Sequence, residues 1–351
     1  MSDYLSPSIG KLTPYVPGEQ PRDGGYIKLN TNENPYPPSP RVIEAIRNET
    51  ARLRLYPDPE SEELKAAVSE YYNIDKNQVF TGNGSDEILA LSFMAFFMKD
   101  KPILFPDVTY SFYEVYAALY GIKYNLVPLN PDFTVPVEKF CTENAGIVLA
   151  NPNAPTGIAL GTDEIRTILE NNRDKVVLVD EAYVDFGAQS MVPFIKDYPN
   201  LLIVQTLSKS RSLAGLRVGF AIGDSKLVEG LNRVKNSFNS YPLDRLAIKG
   251  AIEAFKDVDY FKETTWKIVN TRERVKTKLR DLGFIVTESR SNFLFVSHPG
   301  FPARDMFARL KEKKVLVRYF DKPRIDNYLR VTIGTDDEMD IFLQRVKEIF
   351  L

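Results

Sequence analysis

Residues 175–180 read KVVLVD, and residues 201–206 read LLIVQT. Each run is short and nearly all apolar, a pattern typical of strands that are buried on both faces of a sheet. Similar runs occur at 78–82, 102–105, 123–129, 146–151 and 217–223. Helical patterns separate most of them, for example SDEILALSFMAFF at 85–97 and TDEIRTILE at 162–170. This alternation predicts an α/β fold with a mostly parallel sheet covered by helices on both faces.

The sequence outside this region predicts two further parts. Residues 1–35 contain many prolines and glycines and show no periodicity, which indicates an extended N-terminal arm. Ser39 and Pro40 suit the start of a helix, and we assign residues 36–258 to a large domain. A long charged helical stretch follows at about residues 260–282, and residues 259–351 predict a smaller α+β domain with an antiparallel sheet. We expect the arm to join the small domain or a dimer contact.

The composition excludes several classes of protein. The 351 residues carry a formal net charge of −2 and are 44% hydrophobic and 26% charged, so nucleic acid and anionic membranes are not expected partners. The longest near-apolar stretch, residues 88–98, is too short to span a bilayer. The stretch MSDYLSPSIGKL at residues 1–12 lacks the basic and apolar segments of a signal peptide.

The counts of cysteine and histidine restrict the chemistry further. Cys141 is the one cysteine, which excludes an intrachain disulfide and a cysteine-based metal site and fits a reducing cytoplasm. His298 is the one histidine, so histidine triads and histidine-rich metal centres are excluded as well, and no metal is expected. Any acid–base catalyst must therefore be a lysine, tyrosine, aspartate or glutamate.

Three candidate catalytic residues follow two of the apolar runs. Asp180 ends KVVLVD, and Tyr183 comes three residues later. Lys209 follows LLIVQT and begins a loop, where partial burial would lower its pKa towards the range useful for proton transfer. Ligands gather at the carboxyl ends of strands in α/β sheets. Alone, Asp180 has a simpler explanation as a helix cap, Tyr183 as a core residue and Lys209 as a surface lysine.

The stretch GNGSDEILALSF at 82–93 predicts a site for a phosphate. Its glycines allow a close turn, and Ser85 opens a helix whose free N–H groups suit an anion. The spacing matches neither the dinucleotide-binding fingerprint nor a P-loop, and a plain turn and cap would also explain it. Thr206, Ser208 and Arg217 add two hydroxyls and a guanidinium near the lysine, and Tyr110 is a candidate for stacking on a ring.

The joint occurrence of these groups in one chain order points to pyridoxal phosphate. An amine for a Schiff base, a carboxylate for a pyridinium nitrogen, hydroxyl partners and a phosphate cradle are the parts that this cofactor needs. The prediction depends on the combination, since each residue alone is explained more simply.

Four motifs resemble the fold-type I pyridoxal-phosphate aminotransferases over nearly the whole chain. They are GNGSDE at 82–87, NPNAPTG at 151–157, VDEAY at 179–183 and TLSKSRSLAGLRVG at 206–219. Three further stretches resemble the histidinol-phosphate aminotransferases within that family: KLNTNENPYPPSP at 28–40, LYPDPE at 55–60 and YLRVTIGT at 328–335. The resemblance implies a large domain with a mostly parallel seven-stranded sheet and a smaller α+β domain.

The resemblance also implies a role for each matching residue. Lys209 would bind the cofactor covalently, Asp180 would contact its ring nitrogen, and Asn153 and Tyr183 would hold its phenolic oxygen. Its phosphate would be bound by Ser85, Asp86, Thr206, Ser208 and Arg217, while Tyr110 would stack on its ring. Tyr56 would reach the cofactor phosphate of a neighbouring subunit, which implies a homodimer with shared active sites. Arg330 would grip the substrate carboxylate, Arg318 and Arg330 the substrate phosphate, and Tyr15 and Asn34 would line the mouth. Ala154 stands where many relatives have asparagine.

The implied reaction is amino transfer between histidinol phosphate and 2-oxoglutarate, which gives imidazole-acetol phosphate and glutamate in a ping-pong cycle. Arginine can accept both substrates because a guanidinium matches carboxylate and phosphate alike. Two activities on the same scaffold stay open: decarboxylation of threonine phosphate and amino transfer from aromatic amino acids. A cofactor-sensing regulator would need a basic DNA-binding domain, which the sequence lacks, and a metal-dependent hydrolase lacks ligands.

Overall fold

The structure is a computed structural model that describes residues 4–6, 8–21 and 24–350. Within these residues the strands are β1 Ile27–Lys28, β2 Val79–Asn83, β3 Ile103–Pro106, β4 Tyr124–Val127, β5 Ile147–Ala150, β6 Val177–Asp180, β7 Leu201–Thr206, β8 Val218–Gly223, β9 Ile285–Val286, β10 Phe293–Ser297, β11 Val315–Leu316, β12 Arg318–Tyr319 and β13 Leu329–Thr332. The α-helices are α1 Pro40–Glu49, α2 Glu62–Tyr72, α3 Gly84–Ser92, α4 Phe112–Tyr120, α5 Thr162–Glu170, α6 Ser225–Phe238, α7 Arg245–Lys256, α8 Val258–Asp281, α9 Ala303–Glu312 and α10 Asp336–Phe350.

The seven apolar runs of the sequence form one seven-stranded sheet. Its strand order is β2-β8-β7-β6-β5-β3-β4. Strand β8 pairs antiparallel with both of its neighbours, and the remaining pairs are parallel. The predicted α/β architecture with a mostly parallel sheet is confirmed.

Alternate residues of each strand pack into two different cores. Val177 and Val179 of β6 join a cluster with helices α1, α2, α5 and α7, whereas Leu178 joins a cluster with α3, α4 and α6. Because successive strand side chains point to opposite faces, a run that is apolar at every position is buried on both faces. The helices therefore cover both sides of the sheet.

Helix α1 begins at the predicted cap. The Ser39 Oγ accepts a hydrogen bond from the Val42 N–H at 3.4 Å, and Pro40 occupies the first helical position. Proline is favourable there because the missing N–H has no partner within a helix anyway. Among the described residues, no helix is both long and apolar enough to cross a membrane.

A second, smaller sheet follows the long helix α8. Its strands have the order β12-β13-β10-β9, and every pair is antiparallel. Helices α8, α9 and α10 pack against it around a separate apolar core. Strand β1 of the arm pairs in parallel with β11, so this part of the arm is attached to the small sheet's side of the molecule.

The topology gathers the strand ends from which the site is built. Strands β5, β6 and β7 run in parallel, with Ala150 opposite Asp180 and Asp180 opposite Val204. Their carboxyl ends therefore lie at one edge of the large sheet, where ligands bind in open α/β folds.

Candidate active site

A cavity of about 630 Å³ lies at this edge. Its wall combines the strand ends of the large sheet with residues of the arm and of strands β12 and β13. The volume lies within the range of sites that bind small molecules and cofactors. Most of the residues predicted from the sequence line it: Tyr15, Ser85, Asp86, Tyr110, Asp180, Tyr183, Thr206, Ser208, Lys209, Arg217, Arg318 and Arg330.

Lys209 lies in the loop that joins β7 to β8. Its Nζ is 3.4 Å from the backbone oxygen of Thr31, with which it forms a hydrogen bond, and 5.8 Å from the ring centroid of Tyr183. The Asn34 side-chain amide donates to the backbone oxygens of Lys209 and Ser210 at 3.0 and 3.1 Å. The arm thus fixes the backbone that carries the lysine.

Asp180 is a buried carboxylate with two hydrogen bonds. One oxygen accepts from the Tyr113 hydroxyl at 2.8 Å and the other from the Ala182 N–H at 3.1 Å. Asp180 is 5% exposed, and none of the described lysines and arginines forms an ion pair with it. Burial raises the pKa of the Asp180 carboxyl from 3.8 to about 6, although the two hydrogen bonds oppose this change. A positively charged ligand group would complete this site.

Tyr183 is held by a residue of the arm. Its hydroxyl oxygen accepts a hydrogen bond from the Asn32 Nδ2 at 2.9 Å, and its ring packs edge-on against Phe293. Lys209, Asp180 and Tyr183 all line the same cavity. The structure therefore brings the three candidate catalytic residues together.

The residues of the predicted phosphate cradle lie at the N-terminus of α3. The Asn83 side chain does not cap this helix, and the N–H groups of a first helical turn have no partner within the helix. The Arg217 guanidinium lies beside it and pairs with the Asp86 carboxylate at 2.9 Å. A Cβ at Gly84 would lie 2.5 Å from the Arg217 Nη2, and the φ of +76° at this glycine is in the left-handed region.

Two hydroxyls and a tyrosine complete the cradle. The Thr206 hydroxyl donates to the Ser208 Oγ at 3.0 Å, and the Arg217 Nη1 lies 3.5 Å from that oxygen. The Tyr110 hydroxyl donates to the Asp86 carboxylate at 3.0 Å. An arginine, two hydroxyls and free helical N–H groups are the donors that a phosphate dianion needs.

Two arginines of the small sheet reach the cavity. The Arg330 Nη2 donates to the Asn30 oxygen at 2.9 Å, whereas its Nε is buried without a partner among the described residues. Burial lowers the pKa of the Arg330 guanidinium. Arg318 donates to the backbone oxygens of Val16 and Pro17, next to Tyr15. The cavity can therefore accept an anionic group at Arg330.

Three residues with an expected role lie off the cavity wall. Asn153 is 3% exposed, and its amide donates to the Val108 oxygen and the Thr156 Oγ1 while its oxygen accepts from Thr109. Asn153 does not line the cavity, whereas its neighbour Ala154 does. Asn34 is engaged with the lysine loop and does not line the mouth.

Tyr56 is the third of these residues. It is 80% exposed and packs against Tyr241, with ring centroids 5.0 Å apart. It does not reach the cavity of its own chain.

Two residues of the site were not predicted from the sequence. Tyr113 had a usable signal, because it shares a face of α4 with Tyr116 and Ala117 at helical spacing. Asn32 had none, because it lies in an irregular segment and its contacts with Tyr183 and Thr332 are distant in sequence.

Comparisons with known proteins show the family of the chain. The sequence model of the aminotransferases of class I and II matches residues 25–346. A histidinol-phosphate aminotransferase of Clostridium acetobutylicum is 58% identical over 349 residues, covering 99% of both chains. One of Clostridium beijerinckii is 55% identical over 350 residues, covering 99% of this chain and 98% of the relative.

The fold also matches solved structures. The histidinol-phosphate aminotransferase from Sinorhizobium meliloti in complex with pyridoxal-5'-phosphate has a TM-score of 0.89 with this chain, at 24% identity and 99% coverage of both chains. At that identity the similarity shows the fold alone. The matches confirm the fold and the family resemblance that the motifs predicted.

Proposed function

The chain belongs to the aminotransferases of class I and II, and from this premise we propose that it is a pyridoxal-phosphate-dependent enzyme of histidine biosynthesis. The proposed reaction transfers the amino group of L-histidinol phosphate to 2-oxoglutarate, which gives imidazole-acetol phosphate and glutamate. The full-length similarity to histidinol-phosphate aminotransferases at 58% and 55% identity supports this choice of substrates.

One observation in the structure carries the proposal. The buried Asp180 carboxylate has no cationic partner among the described residues, and it lines the same cavity as the Lys209 amine and the phosphate cradle at Arg217. Pyridoxal phosphate fits this set of groups, because it offers a ring nitrogen that can be protonated, an aldehyde and a phosphate. When bound, it supplies an electron sink for the pair of electrons left when an amino substrate loses its α-proton.

The protein's residues then have distinct tasks. Asp180 holds a proton on the ring nitrogen, and Tyr113, whose pKa burial raises well above its ordinary range, stays protonated and donates to Asp180. Lys209 would hold the cofactor through its Nζ, and its amine would move the α-proton of the substrate. Tyr183 donates to the phenolic oxygen.

The anionic groups of the ligands are bound elsewhere in the cavity. Ser85, Asp86 through its N–H, Thr206, Ser208 and Arg217 bind the cofactor phosphate, and Tyr110 stacks on the ring. Arg318 and Arg330 bind the carboxylate or phosphate of the substrate, beside Tyr15.

We also propose a homodimer in which Tyr56 contacts the cofactor phosphate of the neighbouring subunit. Tyr56 and Phe238 are 80% and 75% exposed, and Leu53 is 55% exposed. A second subunit would cover these large apolar side chains. We place the reaction in the cytoplasm, which fits a chain with a single cysteine, Cys141.

The proposal is tested by assaying glutamate formation from L-histidinol phosphate and 2-oxoglutarate with added pyridoxal phosphate. Lys209→Ala should abolish both turnover and the visible absorbance of the bound cofactor. The matched control is Lys226→Ala at an exposed position of α6, which should change neither. Release of CO₂ from phosphothreonine without glutamate formation would assign the alternative decarboxylase activity instead.

A further inference from the structure

The loop at residues 151–157 sends no polar side chain into the cavity. Asn151 forms both of its side-chain hydrogen bonds with the backbone of Leu160. The Asn153 amide is used by Val108, Thr109 and Thr156, and the side chain of Ala154, which does line the cavity, has no donor. A side-chain hydrogen bond to a ligand oxygen beside Asp180 and Lys209 therefore comes from another segment.

Tyr183 lines the same cavity, and the Lys209 Nζ lies 5.8 Å from its ring centroid. Its oxygen accepts from the Asn32 Nδ2 at 2.9 Å, and none of the described residues accepts the hydroxyl proton. A phenol has one proton and two lone pairs. Because Asn32 occupies a lone pair, the hydroxyl is oriented and its proton is left to donate into the cavity.

The orientation of Asn32 is fixed by its own contacts. Its Oδ1 accepts from the Thr332 hydroxyl at 2.9 Å, so its Nδ2 must face Tyr183. Its N–H donates to the same hydroxyl oxygen at 3.0 Å, and its backbone oxygen accepts from the Asn292 amide at 2.9 Å. Asn32 is 1% exposed and has a φ of +57°, which asparagine and aspartate tolerate better than most residues.

We propose that Asn32 is a positioning residue that aims the Tyr183 hydroxyl proton at the phenolic oxygen of the cofactor. The inference rests on the proposed function, since it concerns the same cofactor. It adds a residue of the arm, far from Tyr183 in sequence, to the residues on which the chemistry depends.

The decisive variant is Asn32→Asp. Aspartate keeps the shape, tolerates the backbone conformation and still accepts from Thr332, but its second oxygen accepts the Tyr183 proton instead of donating to the hydroxyl. The proton is then withdrawn from the cavity. Tyr183→Phe removes the same proton directly, and Asn292→Ala is the matched control, because it loosens the backbone of Asn32 and leaves its side-chain amide in place.

The measurement is the pH midpoint of the visible absorbance of bound pyridoxal phosphate, without substrate. A hydrogen bond to the phenolic oxygen stabilises its anionic form, so losing that bond should raise the midpoint by about one pH unit or more. We expect this shift in Asn32→Asp and Tyr183→Phe, no further shift in the double variant, and a midpoint within about 0.3 units of wild type in Asn292→Ala.

Three results would overturn the inference: an unchanged midpoint in Asn32→Asp, additive shifts in the double variant, or an equal shift in Asn292→Ala. Failure of the proposed function is distinguishable, because the wild-type protein would then neither absorb with the cofactor nor transfer amino groups. A wild-type enzyme that does both, with an unshifted Asn32→Asp variant, refutes the positioning role alone.

Discussion

Without cofactor, the Asp180→Asn variant should be less stable than the wild-type protein at acid pH and more stable than it at alkaline pH. Burial raises the pKa of the Asp180 carboxyl from 3.8 to about 6. The folded protein therefore holds this proton more tightly than the unfolded chain does. The resulting stabilisation is fully present below about pH 4 and is lost as the pH rises through 6.

The magnitude follows from the size of the shift. About two pH units correspond to about 3 kcal/mol, so the wild-type protein loses roughly that much stability between pH 4 and pH 8 through this one group. Asparagine does not titrate and avoids the loss. It retains one acceptor oxygen for the two donors, Tyr113 and Ala182, which costs about 1 kcal/mol at every pH. Cofactor-free Asp180→Asn should therefore be about 1 kcal/mol less stable near pH 4 and about 2 kcal/mol more stable at pH 8.

The assay is urea unfolding of both cofactor-free proteins at a series of pH values. Asp100→Asn, at an exposed position, is the control and should show no pH-dependent difference from wild type. The variant that is more stable at pH 8 should also transfer amino groups about 100-fold more slowly or worse, because the ring nitrogen of the cofactor loses its charged partner. A difference between wild type and Asp180→Asn that is the same at pH 4 and pH 8 would refute the reasoning.

The remaining predictions concern the anion sites and the dimer. Arg217→Ala should weaken the affinity for pyridoxal phosphate about 10- to 100-fold in a fluorescence titration, because a charge-assisted hydrogen bond contributes about 1.5–3 kcal/mol, and an unchanged affinity would contradict its role. Arg330→Gln should raise the KM for glutamate at least about 10-fold without changing cofactor affinity, and an unaltered KM would exclude contact with the substrate carboxylate. Co-expressed Tyr56→Ala and Lys209→Ala chains should recover activity that neither variant has alone. In the hybrid dimer, one site combines the intact Lys209 of the first chain with the intact Tyr56 of the second. If no activity is recovered, Tyr56 does not contribute to the neighbouring subunit's site.

Sequence alone predicted the parts of the site that depend on strand order. Asp180, Thr206 and Lys209 follow apolar runs, and parallel strands place their carboxyl ends at one edge of the sheet. The same rule places Ser85 at the start of the helix after β2. Local patterns were sufficient for these residues because the pairing of the strands in the large sheet places their end residues next to one another.

Side-chain direction could not be predicted in this way. Asn153 and Ala154 are adjacent in sequence, and the choice of which one faces the cavity is made by contacts of Asn153 with Val108 and Thr109. Asn32 is 151 residues from Tyr183 and 300 residues from Thr332, and no local pattern links them. Both cases depend on tertiary contacts that a single sequence does not reveal.

The two buried charges of the cavity explain how the site can discriminate between ligands. Asp180 and Arg330 each lack an ionic partner among the described residues, and burial moves the pKa of each towards its neutral form. In the proposed function, pyridoxal phosphate would offer a cation to Asp180, and its phosphate would lie at Arg217. Arg330 would then stay without a counter-ion until a substrate brings one. A substrate without an anionic group would leave that guanidinium buried and unpaired, whereas a carboxylate or phosphate would satisfy it. The free-energy cost of binding a ligand without an anionic group therefore comes from the buried guanidinium of Arg330, which is in place before any substrate binds.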